Sequence, residues 1–183
     1  MTNDSLSAQP AVSGANFTDA IAPLARRLGA CLAQRHWRVA TAESCTGGGI
    51  AAAITEIPGS SSWFEYGLVT YANSAKQALL DVPEATLARE GAVSEPVVKA
   101  MVLGVLNVSG ADLAVAVTGI AGPGGGSPDK PVGTVWLAWA RRSSGAPLVK
   151  TRRLEFAGDR RAVREQTVRC ALEGLVDFLE ISV

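Results

Sequence analysis

The chain has 183 residues, enough for one domain with a buried core and too few for two comfortable ones. Apolar residues at 48% and charged residues at 19% are a globular balance that excludes a disordered or fibrous protein. Seventeen basic residues offset seventeen acidic ones, so no global field draws the chain to DNA or an anionic membrane, and any such binding must be local. No window approaches the roughly 18 unbroken apolar residues of a membrane helix, and the start, MTNDSLSAQP, has no signal-peptide blocks. Cys31, Cys45 and Cys170 form no Cys-x-x-Cys pair, so neither a disulfide framework nor a thiolate metal site is indicated, and a cytoplasmic location is expected.

Residues 1–16 carry no apolar period and read as a flexible tail, leaving 17–183 as the folded domain. From Thr18, an N-cap type, Ile21, Leu24, Leu28, Cys31 and Leu32 recur at helical spacing up to a turn at Gln34–Trp37. Arg38–Ala42 reads as a strand, followed by the polar turn Glu43-Ser-Cys-Thr-Gly-Gly-Gly49 and an Ala/Ile helix to Ile57. Tyr66–Tyr71 reads as a strand and Asn73 as the cap of a helix through Lys76 to Leu80. Ser94 with Pro96 opens a helix to about Asn107, and the apolar run Ala111–Val117 predicts a strand buried on both faces. Gly119–Gly133 holds six glycines and three prolines and must be a shaped loop. Thr134–Arg141 and Leu148–Phe156 read as neighbouring strands, and Asp159 opens a last amphipathic helix. The fold class is α/β: a single three-layer α/β/α domain with a mixed sheet.

In open α/β sheets ligands collect beyond the C-terminal strand ends, which singles out Ser44–Gly49 and Thr118–Gly126. Small residues in the first let backbone N–H groups approach a ligand, with the helix that follows offering its positive end to an anion. Several motif matches fail on context. Gly47-Gly-Gly-Ile-Ala-Ala52 fits a loose dinucleotide pattern but lacks the strand-end acid a ribose needs, so a nicotinamide oxidoreductase is a minor reading. No Gly-Lys-Ser/Thr follows a glycine run, and prolines at 128 and 131 forbid the helix that Ser127-Pro-Asp-Lys130 would need as a Ser-x-x-Lys site. His36 is the only histidine and sits in a turn, which argues against a Ser-His-Asp triad. A hydroxyl nucleophile then needs another base, and Lys76, close in sequence to Tyr71, is the best placed of the four lysines.

Six co-linear blocks carry a more specific signal: Ala42-Glu-Ser-Cys-Thr-Gly-Gly48, Gly59-Ser-Ser61, Val69-Thr-Tyr-Ala-Asn-Ser-Ala-Lys76, Gly91-Ala-Val-Ser-Glu-Pro96, Thr118-Gly-Ile-Ala-Gly-Pro123 and Lys130-Pro-Val-Gly-Thr134. Together, over residues 20–178, they resemble the CinA C-terminal domain family, also labelled competence/damage-inducible proteins. Stand-alone members of that family are nicotinamide-nucleotide amidohydrolases, which convert nicotinamide mononucleotide and water to nicotinate mononucleotide and ammonia. Longer members add an N-terminal domain resembling molybdopterin-binding proteins, for which this chain has no room. The resemblance implies a Ser-Tyr-Lys catalytic set of Ser61, Tyr71 and Lys76, with Ser44 on its strand-to-helix turn as the rival nucleophile. It assigns substrate binding to Thr46, Gly47 and Gly48, to Thr118, Gly119 and Gly122, and to Arg160 as a phosphate clamp. No cofactor and no catalytic metal are implied, the partner is a small nucleotide, and a dimer-based homo-oligomer is expected, with the Ser94–Asn107 helix as a guessed interface.

The competing reading is a nucleotide- or nucleic-acid-binding protein without catalysis. Residues 141–169 hold eight arginines and Lys150 against Glu155, Asp159 and Glu165, a local +6. Aromatic stacking residues are sparse there and the arginines fall on an expected edge hairpin, where charge guards against edge pairing. A solvated edge is therefore preferred to a nucleic-acid surface.

Overall fold

The computed structural model describes residues 17–180, so the expected tail at 1–16 and the last three residues lie outside it. Twelve elements alternate along the chain: α1 (Phe17–Arg35), β1 (Val39–Glu43), α2 (Gly49–Thr55), a 3₁₀ turn at Ser60–Ser62, β2 (Phe64–Val69), α3 (Asn73–Leu80), α4 (Glu84–Glu90), α5 (Glu95–Ser109), β3 (Leu113–Gly119), β4 (Thr134–Arg141), β5 (Leu148–Glu155) and α6 (Arg160–Glu180). The five strands form one sheet in the order β2-β1-β3-β4-β5. Strands β2, β1 and β3 run parallel, whereas β4 and β5 run antiparallel to their neighbours, so the sheet is mixed as the sequence predicts.

Strand alternation divides the core into two layers. Val39, Leu113, Val115, Val117, Val135, Leu137 and Trp139 face α1, α2 and α6, while Ala40, Ala42, Ala114, Ala116, Ala138 and Ala140 face α5. The alanines on that second face let α5 settle close to the sheet, where Val97, Val98, Met101, Val102, Val105 and Leu106 fill the gap. Two glycines make similar room for tryptophans on the first face. A Cβ on Gly29 of α1 would come within 2.7 Å of the Trp63 ring, and one on Gly174 of α6 would overlap Trp139, whose indole N–H donates to Ala171 O at 3.0 Å.

Three expectations change. Asn73 is the first residue of α3 rather than its cap; Ala72 precedes it in extended conformation and no side chain caps the helix. Ser94 precedes α5, but its hydroxyl donates back to Gly91 O at 2.9 Å and leaves the helix N–H groups uncapped. Helix α4 was not anticipated, because only Leu87 of its seven residues is buried and no apolar period marks it. Most apolar residues of α5 face the sheet, while Val108 near its end is exposed; the other exposed large apolar side chains among the described residues are Tyr66, Val69, Tyr71 and Leu79. Among the described residues no helix is long and apolar enough to cross a membrane.

Candidate active site

The alternation that builds the two core layers also separates two neighbouring polar residues at the end of β1. Glu43 and Thr41 are buried on the α2 side, while Ser44, next in line, turns toward α3. The turn after β1 uses glycines in left-handed conformation, Gly47 at φ 60° and Gly48 at φ 94°, a region open to glycine at little cost. It carries the chain into α2, so Ser44 stands on a tight strand-to-helix turn with its Oγ directed toward Lys76. Gly47 N–H donates to Ser44 O at 3.0 Å, and Ser44 N–H donates to Val117 O at 3.1 Å.

Lys76 rises from α3 to meet it. Its Nζ lies 3.2 Å from Ser44 Oγ, 2.7 Å from Thr70 O and 3.2 Å from Tyr71 O. The residue is only 1% exposed, and burial lowers its pKa because the ammonium loses water that two carbonyls and a hydroxyl replace incompletely. Nζ donates to Ser44 Oγ and to both carbonyls, three acceptors for its three N–H groups; once the amine is deprotonated, two N–H groups serve the carbonyls and the lone pair faces the serine O–H. Cys45 beside it behaves differently. Its thiol is pushed up to about 12, chiefly by burial, and stays protonated as a packing group.

Ser44 and Lys76 open onto a cleft of about 220 Å³ at the C-terminal end of the parallel strands. Thr118, Gly119 and Ala121 line it from β3 and the loop beyond, Ala92 and Val93 from the segment before α5, and Tyr71 and Arg160 from the rim. Thr118 Oγ1 donates to Ala92 O at 2.8 Å, so its hydroxyl ties two walls together while Gly119 keeps the strand end open. Gly119 has no room for a Cβ, which would lie 2.7 Å from Val135 and 3.1 Å from Cys45 Sγ. Arg160 Nη1 donates to Gly122 O at 2.8 Å and Nη2 to Tyr71 OH at 3.3 Å. That pair of contacts holds the guanidinium beside the cleft with other N–H groups available.

Of the residues singled out in the sequence, Ser44, Tyr71, Lys76, Thr118, Gly119 and Arg160 come together here. Ser61 does not. It is exposed in the 3₁₀ turn that leads into the N-terminal end of β2, and the parallel register pairs Val39 with Phe64 and Glu43 with Val69, which puts Ser61 at the opposite end of the sheet from Ser44. Five residues of β1 at about 3.3 Å each separate the two ends. Thr46 and Gly48 are turned inward. Thr46 is fully buried with Oγ1 donating to Glu43 at 2.6 Å, and Gly48 N–H donates to the same carboxylate at 3.1 Å. The anion at the start of α2 is internal, so this end of the helix is not free for a substrate. Gly122 takes part through its carbonyl, which accepts from Arg160 and anchors it.

Glu43 was missed as a contributor; an acid closing an apolar strand directly before a glycine turn was the available signal. The arginine stripe is largely used internally. Arg142 donates to Leu106 O and Ala111 O, Arg153 to Asp129 O and Arg164 to Thr46 O, while Arg161 and Arg169 pair with Glu165 and Glu173. Arg141 is buried, with its guanidinium 5.8 Å from the centre of the Trp37 ring. Among the described residues no group of three His, Cys, Asp or Glu side chains is placed to hold a metal ion.

Comparison with known proteins agrees with this architecture. The family model of the CinA C-terminal domain matches residues 21–179. Nicotinamide-nucleotide amidohydrolase PncC of Pseudomonas putida is 58% identical over 160 residues, covering 87% of this chain and 98% of that protein. PncC of Escherichia coli K12 is 54% identical over 153 residues, 83% of this chain and 90% of its own. Among solved structures, the competence/damage inducible protein CihA from Agrobacterium tumefaciens superimposes with a TM-score of 0.81 at 45% identity, covering 94% of this chain and 98% of its own.

Proposed function

Because the chain belongs to the CinA C-terminal domain family, we propose that it is a nicotinamide-nucleotide amidohydrolase, which hydrolyses the carboxamide of nicotinamide mononucleotide with Ser44 as nucleophile and Lys76 as base. The contact of Lys76 Nζ with Ser44 Oγ at 3.2 Å, on a lysine whose remaining donors are taken by Thr70 O and Tyr71 O, is the observation that carries the catalytic assignment.

Ser44 Oγ attacks the carboxamide carbon while its proton passes to the neutral Lys76 amine. The tetrahedral oxyanion is met by the N–H of Cys45, the residue after the nucleophile. As the C–N bond breaks, Lys76 returns the proton to the leaving nitrogen and ammonia departs, leaving an ester on Ser44. Water then attacks the ester and gives its proton to Lys76, which passes it to Ser44 Oγ as the acyl C–O bond breaks and nicotinate mononucleotide is released. Arg160 clamps the phosphate from the rim, and Tyr71 supports it through its hydroxyl while its carbonyl orients Lys76.

Ammonia release from nicotinamide mononucleotide tests the reaction, and intact mass after rapid acid quench tests the route. Turnover with a nicotinate-mononucleotide adduct on the Ser44 peptide is the expected result. Turnover that persists in folded Ser44→Ala would overturn the nucleophile, and a folded wild type that releases no ammonia would overturn the reaction.

A further inference from the structure

We propose that Glu43 is a positioning residue for the nucleophile: its buried carboxylate gathers the turn after β1 from the inside and thereby holds Ser44 Oγ on Lys76. The inference rests on the reading of Ser44 as nucleophile given above.

Glu43 is fully buried at the end of β1, flanked in register by Val69 on β2 and Val117 on β3. A carboxylate in such a place is unfavourable unless its lone pairs are met. Five groups meet them. Oε2 accepts from Thr46 Oγ1 at 2.6 Å, Gly48 N–H at 3.1 Å and Ile50 N–H at 3.0 Å; Oε1 accepts from Ala51 N–H at 2.8 Å and Thr41 Oγ1 at 3.4 Å. Four of the five donors belong to residues 46–51, the segment that directly follows Ser44 and Cys45. The carboxylate and the N-terminal end of α2 also attract each other, since the unpaired N–H groups there carry partial positive charge.

The consequence for Ser44 is geometric. Its backbone joins a strand residue, Glu43, to a turn that curls back onto that residue's own side chain. Alternation sends the Ser44 side chain the other way, into the cleft that Glu43 does not line. Rotation of the turn would move Oγ off Lys76 and swing the Cys45 N–H away from the oxyanion. An amide does not substitute for the carboxylate, because a glutamine offers one acceptor oxygen and presents an NH₂ to backbone N–H groups that need an acceptor.

The test uses Glu43→Gln and Thr46→Val, the second removing one donor while keeping the carboxylate. Two readouts are taken on folded protein: kcat and KM for nicotinamide mononucleotide, and the rate at which a fluorophosphonate labels Ser44, followed by intact mass. The expected result for Glu43→Gln is a kcat loss of about 100-fold with KM within about threefold, as a small misplacement of a reacting group produces, and a parallel slowing of labelling. Thr46→Val should lose roughly tenfold in both readouts, about what one hydrogen bond to a charged group is worth. If Glu43→Gln does not fold, Thr46→Val decides alone. Folded variants that turn over and label within about twofold of wild type would overturn the inference, as would a rise in KM at constant kcat. A wild type that labels at Ser44 yet releases no ammonia overturns only the substrate reading, and labelling rates then decide the role of Glu43. A wild type that does neither overturns both.

Discussion

Two turns of small residues flank α2, and each sets serine beside glycine where the chain must change direction. The first, residues 44–48, leaves the C-terminal end of β1; the second, residues 59–62, enters the N-terminal end of β2. Ser44 is 8% exposed, with its backbone bonded in both directions and an amine on its hydroxyl. Ser61 stands in solvent, and its neighbour Ser62 bonds no further than Gly59 O at 2.9 Å. A serine becomes a nucleophile through what it is held against, and the two ends of one parallel sheet provide different things. The C-terminal end gathers helix starts and loops from both faces, whereas the 59–62 turn at the other end lies against the exit of α2 and the start of β2.

The sharpest way to break this comparison is to exchange the roles. Ser44→Ala should lower kcat for ammonia release by at least about 10³-fold in a protein whose circular dichroism is unchanged. Lys76→Met, close in shape and without the amine, should lose about 10²–10³-fold, the usual share of a positioned base with its hydrogen bond. Its stability sharpens the argument through pH. Burial lowers the Lys76 pKa below 10.5 in the folded chain, so between that lowered value and 10.5 the unfolded chain binds more protons than the folded one. Wild-type stability relative to Lys76→Met should therefore rise with pH across this window and level off below it. Urea midpoints at a series of pH values read the slope, and a pH-independent difference would show that the lysine is charged in the fold.

Smaller effects test the rim and then the other turn. Arg160→Gln should raise KM by about tenfold with kcat little changed, as expected for a charged contact to a part of the substrate that does not react. Steady-state kinetics at fixed ionic strength measures it, and a fall in kcat at constant KM would move Arg160 into the chemistry. Ser61→Ala should change neither constant by more than about twofold, because an exposed turn hydroxyl away from the cleft touches nothing that reacts. A large loss at Ser61 would reverse the comparison.

Much of the fold was legible because single segments carry their own signals. The run Leu113–Val117 is apolar on both faces and lies in the middle of the sheet, and Pro96 near Ser94 marks the start of α5. Leu87 alone could not mark α4. The site was legible in part for a related reason. Tyr71 and Lys76 lie five residues apart in sequence, but which serine they meet depends on which end of β2 faces which end of β1, a long-range fact that no local pattern contains. The glycine turn at 47–49 looked like a cradle for a ligand anion because backbone N–H groups must find an acceptor somewhere. That the acceptor is Glu43, one residue upstream of Ser44, follows only from the side chain's path back over the turn.

Trp136 and Trp139 lie three residues apart on β4 and so face opposite layers, the first half-buried against the α5 side and the second seated in the hollow that Gly174 leaves in α6. The fold thus contains two optical reporters on one strand. The buried, hydrogen-bonded indole of Trp139 should emit to the blue of Trp136, and since the chain has four tryptophans, a protein with Trp37, Trp63 and Trp136 replaced by Phe would register the docking of α6 in the emission of Trp139. Because α3, which carries Lys76, belongs to the other layer, fluorescence and turnover would then report separate halves of the same molecule. A gap between the two transitions in denaturant would reveal that the catalytic layer loosens on its own.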